Sequence, residues 1–405
     1  MSINEIPLSR PDITKREIDL VTRTMMTGRL SIGPMQERFE QQIAEQSGRN
    51  FGVAVSSGTA GLHLVLRALE IGPGDEVVTT PFSFVASSNA ILYVGATPVF
   101  VDVEPNSLNM DPEKVEAAIT PRTRAILAVE TFGNAAHMDK YAAIAARHEI
   151  PLIEDCCEAL GSSCRGRPAG SFGRAGVFAF YPNKQITTGE GGVIVTDDER
   201  LAEVCRSMRS HGRPCEFDSA HAPTPERSVR DPVSSGPSPS TGSWLTHVRL
   251  GFNYRMSEIQ AAIGVGQMER FQEILQKRES VAGMYMSRLM GVPELTLPDV
   301  MPGTEVSWFV FVVRLQTEYS CDDRDRIITE LREHDVGAAP YFPCIHLLPF
   351  YREMFGFEPG MFPIAESVSQ RTIALPFHSQ LTERDVDIVC QTLELMISRQ
   401  RLARS

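Results

Sequence analysis

Residues 177–196 read VFAFYPNKQITTGEGGVIVT: two apolar runs enclose a loop rich in glycine and threonine. Short apolar runs bounded by turn residues are typical of buried strands, so we predict strands at Val177–Phe180 and Gly192–Thr196. Lys184 lies in the loop and is its only charged residue before Glu190. A lone lysine among Phe, Tyr, Pro and Ile is a candidate for desolvation, which makes an amine a usable nucleophile. The alternative is an ordinary solvated surface lysine.

The segments around this loop alternate between short apolar runs and amphipathic stretches, from about Phe51 to Glu203. Strands alternating with helices predict the α/β class, with a mainly parallel sheet sandwiched between helices. Residues 77–101 carry no charge; we predict a strand, a helix and a strand of the buried sheet there, and disfavour a membrane span. The other candidate strands are 53–55, 125–129 and 152–154, and the candidate helices are 59–69, 111–119 and 138–148.

The amino-acid composition changes at Pro214. Residues 214–243 hold six prolines and seven serines, which predicts a poorly ordered rim loop or lid. A long helical pattern at 257–289 follows, and then come a strand at 308–315 and helices at 324–334 and 383–397. We therefore predict a large domain over residues 1–250, which carries the insert 214–243. Residues 251–405 are predicted to form a linking helix and a smaller C-terminal α+β domain.

Composition excludes several classes of function. The 405 residues include 39 basic and 51 acidic side chains, a net charge of −12, which argues against nucleic-acid binding. The eight cysteines are scattered apart from one adjacent pair, so we expect reduced thiols and no metal cluster. Residues 1–16 lack the apolar core of a signal peptide, and we expect a cytoplasmic protein with no membrane segment.

Two further segments suggest a site for an aromatic phosphate. Ser56–Gly61 reads SSGTAG between a strand and a helix, where free N–H groups and the helix dipole suit a phosphate; a plain helix cap is the alternative. Asp155 follows a predicted strand, and a carboxylate there can pair with a protonated ring nitrogen or merely cap a turn. A phosphate cradle, a carboxylate and a buried amine are the parts needed to hold pyridoxal phosphate (PLP) as a Schiff base.

Taken together, these motifs resemble those of the sugar aminotransferases of the DegT/DnrJ/StrS family, within the fold-type-I PLP-dependent transferases. The resemblance extends from about Leu8 to Thr382, interrupted by the insert. The motifs that carry it are Thr27–Pro34 (TGRLSIGP), Ser57–Thr59, Pro81–Val85 (PFSFV), Glu154-Asp155, the Lys184 segment with TTGEGG, and Gly251–Arg255 (GFNYR).

The resemblance implies two catalytic residues: Lys184, which bonds to the cofactor and later moves the proton, and Asp155, which keeps the pyridine nitrogen protonated. It also implies that Asn253 reaches the cofactor phosphate of a second subunit, so we expect a homodimer with shared active sites. Further cofactor contacts are expected at Ser57, Gly58, Thr59, Phe84 and Glu158. Tyr341 and His346 resemble part of the family's substrate wall, although buried structural residues would look the same.

Two positions depart from the commonest family pattern. Ala179 stands where many members have a phosphate-binding Ser, and Ser57 is a candidate to supply the missing donor. Glu158 stands where many have Gln or His beside the cofactor's 3-oxygen. Since a carboxylate would repel a phenolate there, Glu158 should be protonated, share a proton with the cofactor, or point elsewhere.

The function implied by the resemblance is transfer of an amino group from an amino acid, L-glutamate in the first place, to a nucleotide-linked keto-deoxysugar. Three alternatives stay open. The acceptor could be a cyclitol or another cyclic ketone. The chain could be a sugar dehydratase that uses PLP or its amine form, although such relatives carry His in place of the lysine. It could also be a non-catalytic regulatory relative, although Lys184 and Asp155 are both intact.

Overall fold

The computed structural model describes residues 5–215 and 246–404, and its strands form three sheets. The strands are β1 Phe51–Val55, β2 Glu76–Thr79, β3 Thr97–Phe100, β4 Thr123–Val129, β5 Leu152–Asp155, β6 Ser163–Cys164, β7 Arg167–Pro168, β8 Ala175–Ala179, β9 Gly192–Thr196, β10 Leu295–Thr296, β11 Thr304–Glu305, β12 Phe311–Leu315 and β13 Thr372–Leu375.

The α-helices of the described residues cover both faces of the main sheet and most of the C-terminal region. They are α1 Lys15–Met26, α2 Pro34–Gln46, α3 Gly58–Ala68, α4 Ala86–Tyr93, α5 Pro112–Ala117, α6 Met138–Arg147, α7 Glu199–Arg209, α8 Glu258–Glu269, α9 Phe271–Leu289, α10 Cys321–Glu333, α11 Pro349–Phe355, α12 Pro363–Ser369 and α13 Glu383–Arg404.

The main sheet has seven strands in the order β1-β9-β8-β5-β4-β2-β3. Strands β3, β2, β4, β5 and β8 are parallel, while β9 runs antiparallel to both β8 and β1. Strand β1 therefore points the same way as β8, and the carboxyl ends of six strands meet at one edge. This confirms the predicted α/β class with a mainly parallel sheet.

The predicted elements of this sheet agree with the observed ones to within three residues at each end. The uncharged stretch 77–101 forms β2, α4 and β3, as predicted. Asp111 caps α5 by accepting a hydrogen bond from the Glu113 N–H, with Pro112 in the first turn. None of the described helices is long and apolar enough to cross a membrane. The cytoplasmic location stays a prediction.

The predicted long helix at 257–289 is instead two helices, α8 and α9. Arg270 leaves the helical conformation between them, with φ −113° and ψ 10°. Its guanidinium pairs with Asp12 and Glu17, the latter in α1, at 2.9 and 3.1 Å. A tertiary ion pair therefore stabilises the break, which apolar periodicity along the chain does not report.

The C-terminal part has its own core around an antiparallel sheet in the order β10-β12-β13. Tyr285 of α9 stacks on Phe311 of β12 with ring centroids 4.8 Å apart, and the aliphatic side chains of α10 and α13 complete the cluster. A small sheet, β11-β6-β7, connects the two parts because Thr304 and Glu305 pair with Cys164 and Ser163. The domain boundary at 250 stays a prediction.

Hydrogen bonds join the chain before the Pro/Ser-rich insert to the chain after it. The Val248 N–H donates to the Gly212 carbonyl at 2.9 Å, and the Arg249 guanidinium donates to Ser207 Oγ at 2.7 Å. The chain before the insert and the chain after it therefore lie side by side, and the segment after the insert continues to Asn253. The predicted rim loop or lid concerns residues 216–243, which lie outside the described residues.

Candidate active site

The predicted site residues follow strands that end at one edge of the main sheet. Ser57 comes after β1, Phe84 after β2, Asp155 ends β5, and Lys184 follows β8. Ligands of open α/β sheets bind outside the carboxyl ends of the strands. The topology therefore brings together four segments that are far apart in the sequence.

Close packing ties these segments to one another. A Cβ atom added at Gly58 would lie 2.7 Å from both Ala179 Cβ and Cys157 Sγ. One added at Gly192 would lie 2.7 Å from the carbonyl carbon of Ser57. The turn after β1, the end of β5 and the lysine loop are thus in van der Waals contact, and only glycine allows it at these two positions.

The turn after β1 forms an open helix start. Ser57 Oγ accepts a hydrogen bond from the Ala60 N–H at 3.1 Å, so Ser57 caps α3. This cap uses only the Ala60 N–H and is compatible with a phosphate at the same turn. The hydrogen bonds of the described residues leave the Gly58 and Thr59 N–H groups without an acceptor, as expected in a first helical turn. These two donors and the dipole of the 11-residue helix α3 suit a phosphate. The Ser57 hydroxyl proton is not used by the cap, and it can supply the donor that Ala179 lacks.

Asp155 is a buried carboxylate with two donors. Its Oδ2 accepts a hydrogen bond from Ser87 Oγ in α4 at 2.6 Å, and its Oδ1 accepts one from the Cys157 N–H at 3.2 Å. These two hydrogen bonds fix the orientation of the Asp155 carboxyl group at the end of β5. Ser87 was not predicted, because a serine inside an uncharged helix carries no signal of its partner.

The Lys184 side chain is only 13% exposed, which agrees with the predicted desolvation. Its Nζ lies 3.5 Å from Glu158 Oε1 and 4.0 Å from the centroid of the Phe309 ring. Phe309 belongs to the C-terminal part of the chain and was not predicted. The amine therefore lies between a carboxyl group and an aromatic face.

Glu158 is buried beside this amine. Its Oε2 accepts a hydrogen bond from the Phe132 N–H at 2.9 Å. Burial raises the pKa of the Glu158 carboxyl, and the positive charge of Lys184 opposes that rise. A raised pKa is the direction required if Glu158 is protonated or shares a proton; which alternative holds stays a prediction.

Four other predicted residues occupy contrasting environments. Phe84 is 60% exposed and Asn253 is exposed, so both are accessible to a ligand or a second chain. Tyr341 is half-buried and lies near the side chain of Asn183, the residue before Lys184. His346 is fully buried, with Nε2 3.1 Å from Glu366 Oε1, which favours the structural alternative for this residue. Its substrate role stays a prediction.

The residues present fit pyridoxal phosphate. Free N–H groups would bind its phosphate, a buried carboxylate would face its ring nitrogen, and the lysine amine would bond to its aldehyde. The glycine at position 58 also matters, because a Cβ there would collide with Cys157 and Ala179 beneath the turn. The described residues thus offer a partner for the phosphate, for the ring nitrogen and for the aldehyde of this cofactor.

Comparison with known proteins gives an independent result. Residues 11–394 match the model of the DegT/DnrJ/EryC1/StrS aminotransferase family. The chain is 37% identical over 390 residues to the spore coat polysaccharide biosynthesis protein SpsC of Bacillus subtilis, covering 96% of both proteins. It is also 37% identical over 395 residues to the GDP-perosamine synthase of Caulobacter vibrioides, covering 97% of this chain and 98% of that protein.

Solved structures are similar over the same extent. DesV of S. venezuelae, in complex with a ketimine intermediate, has a TM-score of 0.82 and 32% identity, and the match covers 94% of each chain. Helicobacter pylori PseC, an aminotransferase of pseudoaminic acid biosynthesis, has a TM-score of 0.86 and 26% identity, with 98% of this chain and all of that chain covered. Spr1654 of Streptococcus pneumoniae, described as a sugar aminotransferase, matches in both its PMP-form and its PLP-form, with TM-scores of 0.88 and 0.87.

Proposed function

Because this chain belongs to the DegT/DnrJ/EryC1/StrS aminotransferase family and is a PLP-dependent sugar aminotransferase, we propose that it aminates a nucleotide-linked keto-deoxysugar with L-glutamate as the amino donor. The observation that carries this proposal is the meeting of Lys184, Asp155 and the start of α3 at one sheet edge. The name of one relative, a GDP-perosamine synthase, supports a nucleotide-linked acceptor.

When bound, PLP supplies a conjugated ring that accepts the electron pair released when a proton leaves the donor's α-carbon. The chain's own residues then have separate tasks. The Lys184 amine takes up that proton and later returns it. Asp155 holds the proton on the pyridine nitrogen, with Ser87 and the Cys157 N–H keeping its carboxylate in place. The Gly58 and Thr59 N–H groups bind the phosphate, and Phe84 covers the ring.

We also propose a homodimer with shared sites. Asn253 is exposed, and its neighbour Tyr254 accepts a hydrogen bond from the Ser56 N–H of the phosphate turn at 2.7 Å. Leu250, three residues before Asn253, is a large apolar side chain that is 72% exposed, as expected of a surface that a second copy covers.

Mixed dimers test this sharing. A subunit with Lys184→Ala and a subunit with Asn253→Ala should each give weakly active or inactive homodimers. Their 1:1 mixed dimer should regain about half of the wild-type activity, because one of its two sites is then complete. Mixing without any gain of activity would show that Asn253 does not serve the partner's site.

The reaction itself is tested by an amine-transfer screen with glutamate and nucleotide-linked 3-keto and 4-keto hexoses. Mass spectrometry should show a ketone oxygen replaced by an amine and a hydrogen. The Lys184→Ala variant should lose both the visible absorbance of the lysine-bound cofactor and all turnover. Normal turnover by that variant would refute the role of Lys184, and amination of a cyclitol ketone alone would refute the sugar nucleotide.

A further inference from the structure

We propose that Phe309 is a further catalytic residue: its ring face, together with the Glu158 carboxyl group, stabilises the positive charge that the Lys184 amine acquires when it takes up the α-proton of the amino donor. This inference rests on the proposed proton-moving role of Lys184. It gives a catalytic role to Phe309, which lies in the C-terminal part of the chain and belongs to none of the motifs around Lys184.

The contact geometry carries the proposal. Lys184 Nζ lies 4.0 Å from the Phe309 ring centroid, and the ring is 2% exposed. A cation within about 6 Å of an aromatic face is attracted by the ring's quadrupole, and more strongly when both groups are withdrawn from water. Glu158 Oε1 lies 3.5 Å from the same nitrogen. The amine thus has two groups beside it that favour a positive charge.

The ring is held by hydrogen bonds from outside its own loop. Arg278 of α9 is itself buried and donates to the carbonyl oxygens of Trp308 and Phe309, both at 2.7 Å. Ser307 Oγ accepts a hydrogen bond from Gln185 Nε2 at 2.8 Å, and Gln185 is the residue after the lysine. The position of the ring relative to Lys184 is therefore fixed from both sides.

The proton transfer requires groups that stabilise a positive charge on Lys184 Nζ. When the Lys184 amine acts as a base, its lone pair forms an N–H bond while the substrate C–H bond breaks, and a positive charge appears on Nζ. When the proton is returned, the N–H bond breaks and the amine is neutral again. No other reactant is consumed. A ring face and a carboxyl group beside Nζ stabilise the charged state and the transition states on either side of it.

The test exploits the small number of lysines. The chain has five, Lys15, Lys114, Lys140, Lys184 and Lys277, so amine labelling can be read at each by peptide mass. The full chain is saturated with pyridoxamine phosphate, which leaves the lysine free, and is treated with trinitrobenzenesulfonate. Protonated amines do not react, and the other four lysines act as internal references.

Two kinds of substitution at Phe309 distinguish the electrostatic effect of its ring from the effect of the ring's shape. Phe309→Leu should raise the labelling rate of Lys184 about fivefold and lower kcat by a similar factor with little change in KM, the size expected for one cation–π contact. Replacing Phe309 by mono-, di- and trifluorophenylalanine keeps the ring's shape and weakens its negative face, so the labelling rate should rise stepwise with fluorination. The matched control is Phe311→Leu, two residues further on in the C-terminal core, which should leave Lys184 labelling unchanged.

A flat response across the fluorinated series would overturn the proposal, since it would show that the ring only fills space. An equal increase in Phe311→Leu would overturn it as well, because it would indicate general loosening. The labelling rate is measured without a sugar acceptor, so failure of the proposed amine transfer would appear separately, as the absence of product from the wild-type enzyme.

Discussion

Residues 154–158, EDCCE, present two opposite faces that make a useful comparison. Glu154 and Cys156 point to one face, where their donor atoms and those of Glu130 lie within 4.8 Å of one another. Asp155 points to the other face, toward Ser87 and the proposed cofactor. Side chains alternate along a strand, so neighbouring residues of one motif serve different parts of the protein.

The two faces differ in their partners and not in their burial. Glu154 is buried and accepts hydrogen bonds from the N–H groups of Gly170, Phe172 and Gly173 at 2.9, 2.7 and 2.6 Å. Asp155 is nearly as buried, but its hydrogen bonds from Ser87 Oγ and the Cys157 N–H come from uncharged groups, one to each oxygen. A carboxylate saturated with backbone donors holds a loop in place, whereas an unsaturated one at an open edge is available to a ligand.

The largest effect is expected from the face that carries Asp155, which we call the ligand face. Asp155→Asn should lower kcat by about 10²- to 10³-fold, the range seen when one electrostatic partner of a reacting group is removed. The free energy of unfolding should change by less than about 1 kcal/mol, because Asn keeps the shape and one acceptor oxygen. Steady-state kinetics and chemical denaturation measure the two quantities. Loss of stability without loss of activity would reverse the assignment of the two faces.

The opposite face carries Glu154 and Cys156, and we call it the scaffold face. A substitution there should lower stability and leave activity nearly unchanged. Glu154→Ala leaves three buried N–H groups and Arg49, whose Nη2 lies 3.8 Å away, without their carboxylate. We expect a loss of about 3 kcal/mol in the free energy of unfolding. Activity per folded molecule should stay within about threefold of wild type, since no interaction of the transition state is removed. A kcat as low as that of Asp155→Asn would contradict the separation of the two faces.

The contact between the ligand face and the phosphate turn gives the next effect. Gly58→Ala would place a Cβ 2.7 Å from Cys157 Sγ, so we expect a loss of about 2 kcal/mol and weaker cofactor binding. The matched control is Gly283→Ala in α9, where a Cβ meets nothing within 4 Å. There alanine should stabilise the helix by about 0.5–1 kcal/mol. Thermal denaturation and cofactor titration would show whether the two glycines differ as expected.

The smallest effect concerns Glu130, whose buried carboxyl group faces Glu154, Asp155 and Cys156. Burial and the charge of Glu154 raise the pKa of Glu130 well above its ordinary value. The folded chain then holds a proton that the unfolded chain releases, so this contribution to stability is complete below the unfolded pKa and is lost as pH rises toward the folded pKa.

Glu130→Gln removes that titration and keeps a hydrogen-bond donor for Glu154. The variant should therefore gain stability relative to wild type as pH rises from the unfolded pKa toward the folded pKa, by at most about 1.4 kcal/mol for each pH unit. Denaturant unfolding at pH 6, 7 and 8 measures the difference. A difference that is independent of pH would mean that Glu130 does not hold a proton in the folded chain.

Much of this site could be predicted because its chemistry is concentrated in short motifs. Lys184, Asp155 and the turn at 57–59 each combine a rare residue type with a position after a strand, and parallel strands end at the same edge. Helices α1 and α2 were not predicted, although Thr14 and Glu17 form a capping box at the start of α1. This capping box is a start signal for α1 that the sequence itself carries.

Residue types and local spacing were enough to predict the alternating strands and helices of the main sheet, the family, and Lys184 and Asp155 as the candidate amine and carboxylate. The folded structure was needed to show what faces Lys184, how the partners of Glu154 and Asp155 differ, and where the helix after residue 257 breaks. Phe309, Ser87 and Asp12 act on residues about 70 to 260 positions away. Such contacts depend on how the elements pack, and packing leaves no periodic trace along the chain.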